Sequence, residues 1–136
     1  MRKLCLDVGT VRTGIALSDE LNILATGIEV LKRKHNESDY IYISNLCKEK
    51  NVNEIIIGYP LNMDGTKGDK VKEIEEFSEK LKQFTNIPIK FWDERLTTVE
   101  AEEYLIEAGY RREERRKIID KVAAQIILQS YLDSNK

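Results

Sequence analysis

Histidine and cysteine are scarce in this chain, and their scarcity excludes much of the usual catalytic and metal chemistry. The 136 residues contain one histidine and two cysteines. Cys5 and Cys47 stand far apart with no CxxC spacing, so neither a zinc site nor a disulfide framework is available. Cys5 lies in an apolar run and reads as a small hydrophobe. His35 sits in a charged loop and reads as a surface residue. No apolar stretch approaches the roughly 20 residues a membrane span needs. The amino terminus leads straight into a strand-like run, which predicts no signal peptide and a cytoplasmic location. Walker spacing is missing too, since Gly65-Thr-Lys-Gly68 is no P-loop. There is no internal repeat, low-complexity tract or linker.

What remains is ordinary in bulk and uneven in detail. A hydrophobic content of 41% and a charged content of 34% fit one soluble globular domain spanning residues 1–136. The net charge of −2 advertises no polyanionic partner. However, Arg111, Arg112, Arg115, Arg116 and Lys117 form a basic cluster, and Lys32, Arg33 and Lys34 a second. Local basic faces on an acidic protein can bind phosphates, although such runs are more often solvated helix faces.

The apolar pattern predicts β-β-β-α-β-α-β-α-α. Leu4 to Val8 and Ile15 to Leu17 form two strands joined by a Gly-bounded connection that includes Gly9 and Gly14. Ala25 to Leu31 is a third strand, which completes an antiparallel meander. Ser38 to Lys50 is an amphipathic helix with Ser38 and Asp39 at its start. Asn53 to Tyr59 holds a continuous Ile55-Ile56-Ile57 run, as in a strand covered on both faces. Asp69 to Phe84 is a helix and Pro88 to Trp92 a fifth strand. Thr97 or Thr98 caps a helix that stops at Gly109. Residues 111–116 are a short helical or mobile connector, and Ile118 to Leu132 is the last helix. The fold class is therefore α/β: a five-stranded mixed sheet, three antiparallel strands then two parallel, with helices on both faces.

In such sheets ligands bind beyond the carboxyl ends of the parallel strands. Asp7, and the pair Asp93 and Glu94, end strands that this reading makes parallel neighbours. Carboxylates brought together repel unless a cation intervenes, and a hard divalent ion, above all Mg²⁺, suits them. Asp120 is a third candidate, on a helix whose Ala123 and Ala124 permit close approach to the sheet. Three carboxylates around one or two Mg²⁺ ions suit phosphoester hydrolysis and require no histidine or serine nucleophile. Each acid alone has a plainer reading as a turn, cap or helix-end charge; their joint placement is the stronger argument. Arg12, Lys67 and Arg95 fall in loops at this edge as phosphate contacts, with hydroxyls from Thr10, Thr97 and Thr98.

Four stretches together resemble the YqgF/RuvX family, described as Holliday junction resolvase-like proteins and pre-16S rRNA nucleases. They are Asp7-Val-Gly-Thr-Val-Arg12-Thr-Gly14-Ile-Ala-Leu-Ser-Asp19, Ile57-Gly58-Tyr-Pro60-Leu-Asn62-Met-Asp-Gly65, Trp92-Asp93-Glu94-Arg95-Leu-Thr97-Thr98, and Asp120 through Leu132. The resemblance covers nearly the whole chain. It implies a ribonuclease H-like fold, Asp7, Glu94 and Asp120 as metal-binding acids, Mg²⁺ or Mn²⁺ as cofactor, and pre-rRNA or branched DNA as partner. Tyr59 replaces the Leu expected in a Gly-Leu-Pro motif, and Lys121 follows Asp120 where a small polar residue is common; neither change removes an acid. Two other readings remain: an actin-like ATPase fragment, suggested by Asp7-Val-Gly9-Thr10 but lacking a second phosphate loop, and a non-catalytic nucleic-acid-binding factor using residues 111–117. The residues do not choose between RNA and DNA or between monomer and homodimer.

Overall fold

A computed structural model describes residues 1–61, 64–93 and 112–134. Its strands are β1 (Arg2–Val8), β2 (Arg12–Ser18), β3 (Ala25–Lys32), β4 (Val52–Tyr59) and β5 (Ile89–Asp93). Its helices are α1 (Glu37–Glu49), α2 (Asp69–Leu81) and α3 (Arg112–Ser134). The strands form one sheet in the order β3-β2-β1-β4-β5. The β1–β2 and β2–β3 pairs are antiparallel, and β1–β4 and β4–β5 parallel. The meander followed by two parallel strands is thus as the apolar pattern predicts. One expectation needs correction: β1 and β5 are not neighbours, because β4 lies between them. The Ile55-Ile56-Ile57 run explains this, since a strand apolar on both faces belongs in the middle of a covered sheet.

Alternation along the strands divides the core into two layers. Leu4, Leu6 and Val8 of β1 join Ile15, Ile55 and Ile57 against α1 and α2, which contribute Tyr40, Ile43, Ile74 and Phe77. Cys5, Ala16 and Ile56 face the other way and pack on Ala124, Ile127, Leu128 and Tyr131 of α3. Cys5 and Cys47 are both buried thiols. Burial pushes the Cys47 thiol up to about 11, so it behaves as a hydrophobe and not as a nucleophile.

Small side chains let α3 lie close to the sheet. Across the sheet, Gly27, Ala16 and Cys5 stand in register. A Cβ built on Gly27 would come within 2.6 Å of Lys121 Cγ and 2.8 Å of the Lys121 carbonyl oxygen, so only glycine fits beneath the helix there. Two glutamines of α3 extend this contact: Gln125 accepts from the Gly27 amide at 3.0 Å and Gln129 from the Ala25 amide at 2.9 Å. The carboxyl end of α3 is held by Tyr131, whose hydroxyl donates to Glu54 at 2.5 Å and whose ring meets Trp92 edge-on at 5.3 Å. Burial pushes the Glu54 carboxyl up, but the Tyr131 hydroxyl and the ammonium groups of Lys3 and Lys90 outweigh it and hold the group below its ordinary value.

Element boundaries differ from expectation in informative places. Gly14 belongs to β2 and not to the connection before it. The cap of α1 is Asn36, whose side chain accepts from the Ser38 amide at 2.9 Å. The Asp39 carboxylate instead accepts the backbone amides of Lys34 and His35. α2 ends at Leu81, and Phe84 lies in the turn beyond while still stacking on Tyr40 at 5.8 Å. α3 begins at Arg112, within the stretch read as a connector. Arg, Glu and Lys are good helix formers, and they extend the helix ahead of its apolar period. The helix expected over residues 97–108 lies outside the described residues. Among the described residues no helix is long and apolar enough to cross a membrane.

Candidate active site

Asp7 is the penultimate residue of β1 and is half-buried. Alternation puts it on the face of Cys5, the face that α3 covers. Its partner across β2 is Gly14. On the other side, Leu6 pairs with Ile57, so one step further along the parallel strands sets Asp7 level with Gly58 of β4. Gly58 in turn pairs with Trp92 of β5. The row across the sheet therefore reads Gly14, Asp7, Gly58, Trp92. A single carboxylate stands between two residues without side chains, and an aromatic wall rises on the far strand. Glycines here leave open the space that a Cβ on either flank would fill, and a phosphate or a hydrated cation needs that space.

Other expected site residues fall into three groups. Arg12 is two residues before Gly14 on β2, so alternation sets it on the face of Asp7, and it is exposed. Thr10 occupies the turn between β1 and β2 and is also exposed. These two share the end of the sheet with Asp7. Asp93 and Lys67 do not share its face. Asp93 alternates with Trp92 and so lies on the side of Phe91, whose ring packs on Tyr59 at 4.7 Å. Lys67 sits over the Tyr59 ring at 5.9 Å and pairs with Glu75 of α2 at 3.9 Å. Glu94, Arg95, Thr97 and Arg111 lie outside the described residues. The backbone of Arg112, Arg115, Arg116 and Asp120 is part of α3, and their side chains lie outside the description. Asp120 is one turn ahead of Ala124, which is fully buried against the sheet on the face of Asp7.

A residue read only as surface has a larger part than expected. His35 is exposed, yet its Nε2 lies 2.8 Å from the Thr10 carbonyl oxygen in the β1–β2 turn. A carbonyl can only accept, so this nitrogen carries the proton. His35 also has φ of 57°, in the left-handed region. Nothing in the local pattern announces that conformation; the charge of the loop is all that the sequence displays there.

The donor set suits a hard cation. Asp7 offers carboxylate oxygen from a half-buried position, and no soft sulfur or imidazole faces it from the flanking strands. Among the described residues no three histidine, cysteine or carboxylate side chains gather into a metal cluster.

Comparison with known proteins agrees with this architecture. A family model described as "RuvX: Holliday junction resolvase" matches residues 1–134. A protein of Lachnospira eligens named "Putative pre-16S rRNA nuclease" is 48% identical over 139 residues, covering 100% of this chain and 99% of its own. Among solved structures, the Fowlpox virus resolvase bound to Holliday junction DNA superimposes with a TM-score of 0.61 at 14% identity, covering 99% of both chains. RuvC of T. thermophilus in complex with a Holliday junction substrate gives 0.59 at 12% identity, covering 99% of this chain and 96% of that one. At these identities the two structures establish the fold, which is ribonuclease H-like. With the family model matched almost end to end and a relative near half identity over the full length, the chain belongs to the RuvX family.

Proposed function

We propose that this chain is a divalent-metal-dependent nuclease that hydrolyses phosphodiester bonds in structured nucleic acid. Its proposed role is processing the 5′ end of pre-16S rRNA in the cytoplasm, by a single domain formed from residues 1–136. The observation that carries the reading is the Asp7 carboxylate set between Gly14 and Gly58 on the sheet face that α3 covers. The name of the Lachnospira relative supports rRNA as the substrate.

Asp7, Glu94 and Asp120 would hold Mg²⁺ or Mn²⁺. Glu94 directly follows the last residue of β5 in the sequence. Asp120 precedes the buried Ala124 by one turn on the helix that covers Asp7's face. When bound, the metal supplies positive charge to a phosphoryl oxygen and lowers the pKa of the attacking water. The chain's own residues do the rest. Asp7 anchors the centre from a strand packed on both sides, so its carboxylate loses little freedom on binding. Arg12 and Thr10 offer donors to backbone phosphates beside it, and Arg95, Thr97 and the arginines at 111, 112, 115 and 116 extend that surface along the substrate. Lys67 belongs to the same nucleic-acid surface only if the substrate also reaches the α2 side.

A cleavage screen tests this reading. Purified protein with Mg²⁺ or Mn²⁺ is offered a pre-16S 5′ leader RNA and a four-way DNA junction. The expected result is metal-dependent cutting of the RNA, leaving 5′-phosphate ends, at least about tenfold faster than the junction, a discrimination of about 1.4 kcal/mol. Preference for the junction would replace the rRNA role with a resolvase one. No product from either substrate would overturn the nuclease reading.

A further inference from the structure

Three consecutive carbonyls of the β1–β2 turn are held from one side by the segment that follows β3. The Gly9 carbonyl accepts from the Arg33 guanidinium at 2.8 Å. The Thr10 carbonyl accepts from His35 Nε2 at 2.8 Å. The Val11 carbonyl accepts from the Arg33 backbone amide at 2.8 Å. Gly9 N–H closes the turn by donating to Arg12 at 2.8 Å, and a Cβ on Gly9 would come within 2.6 Å of that same oxygen.

The holding segment is itself fixed. The Arg33 side chain is 7% exposed, pairs with Glu73 of α2 at 3.1 Å and lies over the Phe77 ring at 5.4 Å. Buried Asp39 accepts the amides of Lys34 and His35, and this anchors His35 in its left-handed conformation. Such strain at a non-glycine residue persists only where its surroundings over-determine it.

Peptide planarity transmits this grip to the far side of the turn. In a trans peptide the C=O of one residue and the N–H of the next point in opposite directions, and no peptide bond here is cis. Fixing the Gly9 and Thr10 carbonyls toward Arg33 and His35 therefore fixes the Thr10 and Val11 amides away from the α1 and α2 layer. Among the described residues neither amide has a protein acceptor. Successive backbone amides aimed one way make an anion-binding concavity. Arg12 stands beside it on the face of Asp7.

We propose that Arg33 and His35 are positioning residues for a substrate phosphate, which they serve by aiming the Thr10 and Val11 amides at it. This rests on the nuclease reading for its substrate, but the anion site can be tested without cleavage. His35 is the informative position because it is exposed, so its loss leaves the core intact. Glutamine places an amide N–H the same number of bonds from the backbone as histidine Nε2, whereas alanine offers none. Inorganic phosphate is titrated into wild type, His35→Ala and His35→Gln, and the Thr10 and Val11 amide NMR signals are followed. Cleavage of the leader RNA is measured on the same proteins.

The expected result is phosphate-dependent shifts of both amides in wild type and His35→Gln, with the apparent Kd raised about fivefold or more in His35→Ala, the equivalent of one hydrogen bond. In cleavage, His35→Ala is expected to raise KM about tenfold with kcat within about threefold, and His35→Gln to restore KM. Amides that ignore phosphate in wild type would overturn the proposal, as would equal affinity in wild type and His35→Ala, or a glutamine variant as poor as alanine. Phosphate shifts in a protein that cuts no substrate would sustain the anion site and overturn only the nuclease reading.

Discussion

Asp7→Asn is expected to lower metal-dependent cleavage about a thousandfold while leaving the fold intact. The amide matches the carboxylate in size but carries no charge, so it cannot neutralise a divalent ion. Losing several kcal/mol of charge stabilisation in the transition state corresponds to a thousandfold rate loss, at about 1.4 kcal/mol per tenfold. The fold is expected to survive because Asp7 is half-buried at the end of β1 and the isosteric amide leaves the core residues of both faces, Leu4, Leu6 and Val8 on one and Cys5 on the other, untouched. Single-turnover cleavage with a thermal melt on the same preparation checks both halves. Undiminished cleavage by a folded Asp7→Asn protein would remove Asp7 from the site.

The second large effect is on stability and comes from a residue with no polar chemistry. Gly27→Val is expected to destabilise the protein by about 3 kcal/mol, the upper range for overpacking, and to lower Tm by roughly 10 °C. The added side chain meets backbone and not merely a flexible tip, because the Lys121 carbonyl oxygen lies 2.8 Å from the position of its Cβ. Either β3 shifts or α3 lifts from the sheet. If α3 lifts, Asp120 moves with it, and cleavage at permissive temperature is expected to fall more than the folded fraction does. Thr26→Ala, at the exposed neighbour on the same strand, is expected to stay within about 0.5 kcal/mol of wild type. Urea denaturation of the three proteins distinguishes the outcomes; a Gly27→Val protein as stable as wild type would mean that α3 is not seated as described.

Much of this architecture is legible in the residues themselves. Period-two and period-three-to-four patterns place all five strands and the cores of α1, α2 and α3, because burial dictates those periods locally. Lateral strand order is a different kind of information. Whether β4 or β5 lies beside β1 depends on contacts between residues distant in sequence, and only the Ile55-Ile56-Ile57 run hints that β4 is central. Gly14 reads as part of the connection because glycine marks turns, whereas it is a strand position paired with Asp7. Asp7 could be singled out as a charge ending an apolar strand. Its setting between Gly14 and Gly58 could not, since that requires the register of two strand pairs. His35 was least legible of all. Its position depends on a left-handed backbone and on a carbonyl two strands away in sequence, neither of which leaves a compositional trace.

The central claim is that the carboxylate of Asp7 marks the metal centre. Mn²⁺ titration followed by NMR line broadening tests it most directly, because the paramagnetic ion broadens signals near its binding site. The account predicts that the amides of Asp7, Gly14 and Gly58 broaden first and that this broadening disappears in Asp7→Asn. Broadening that begins instead along the glutamate-rich helix α2, or that persists unchanged at β1 in Asp7→Asn, would contradict it.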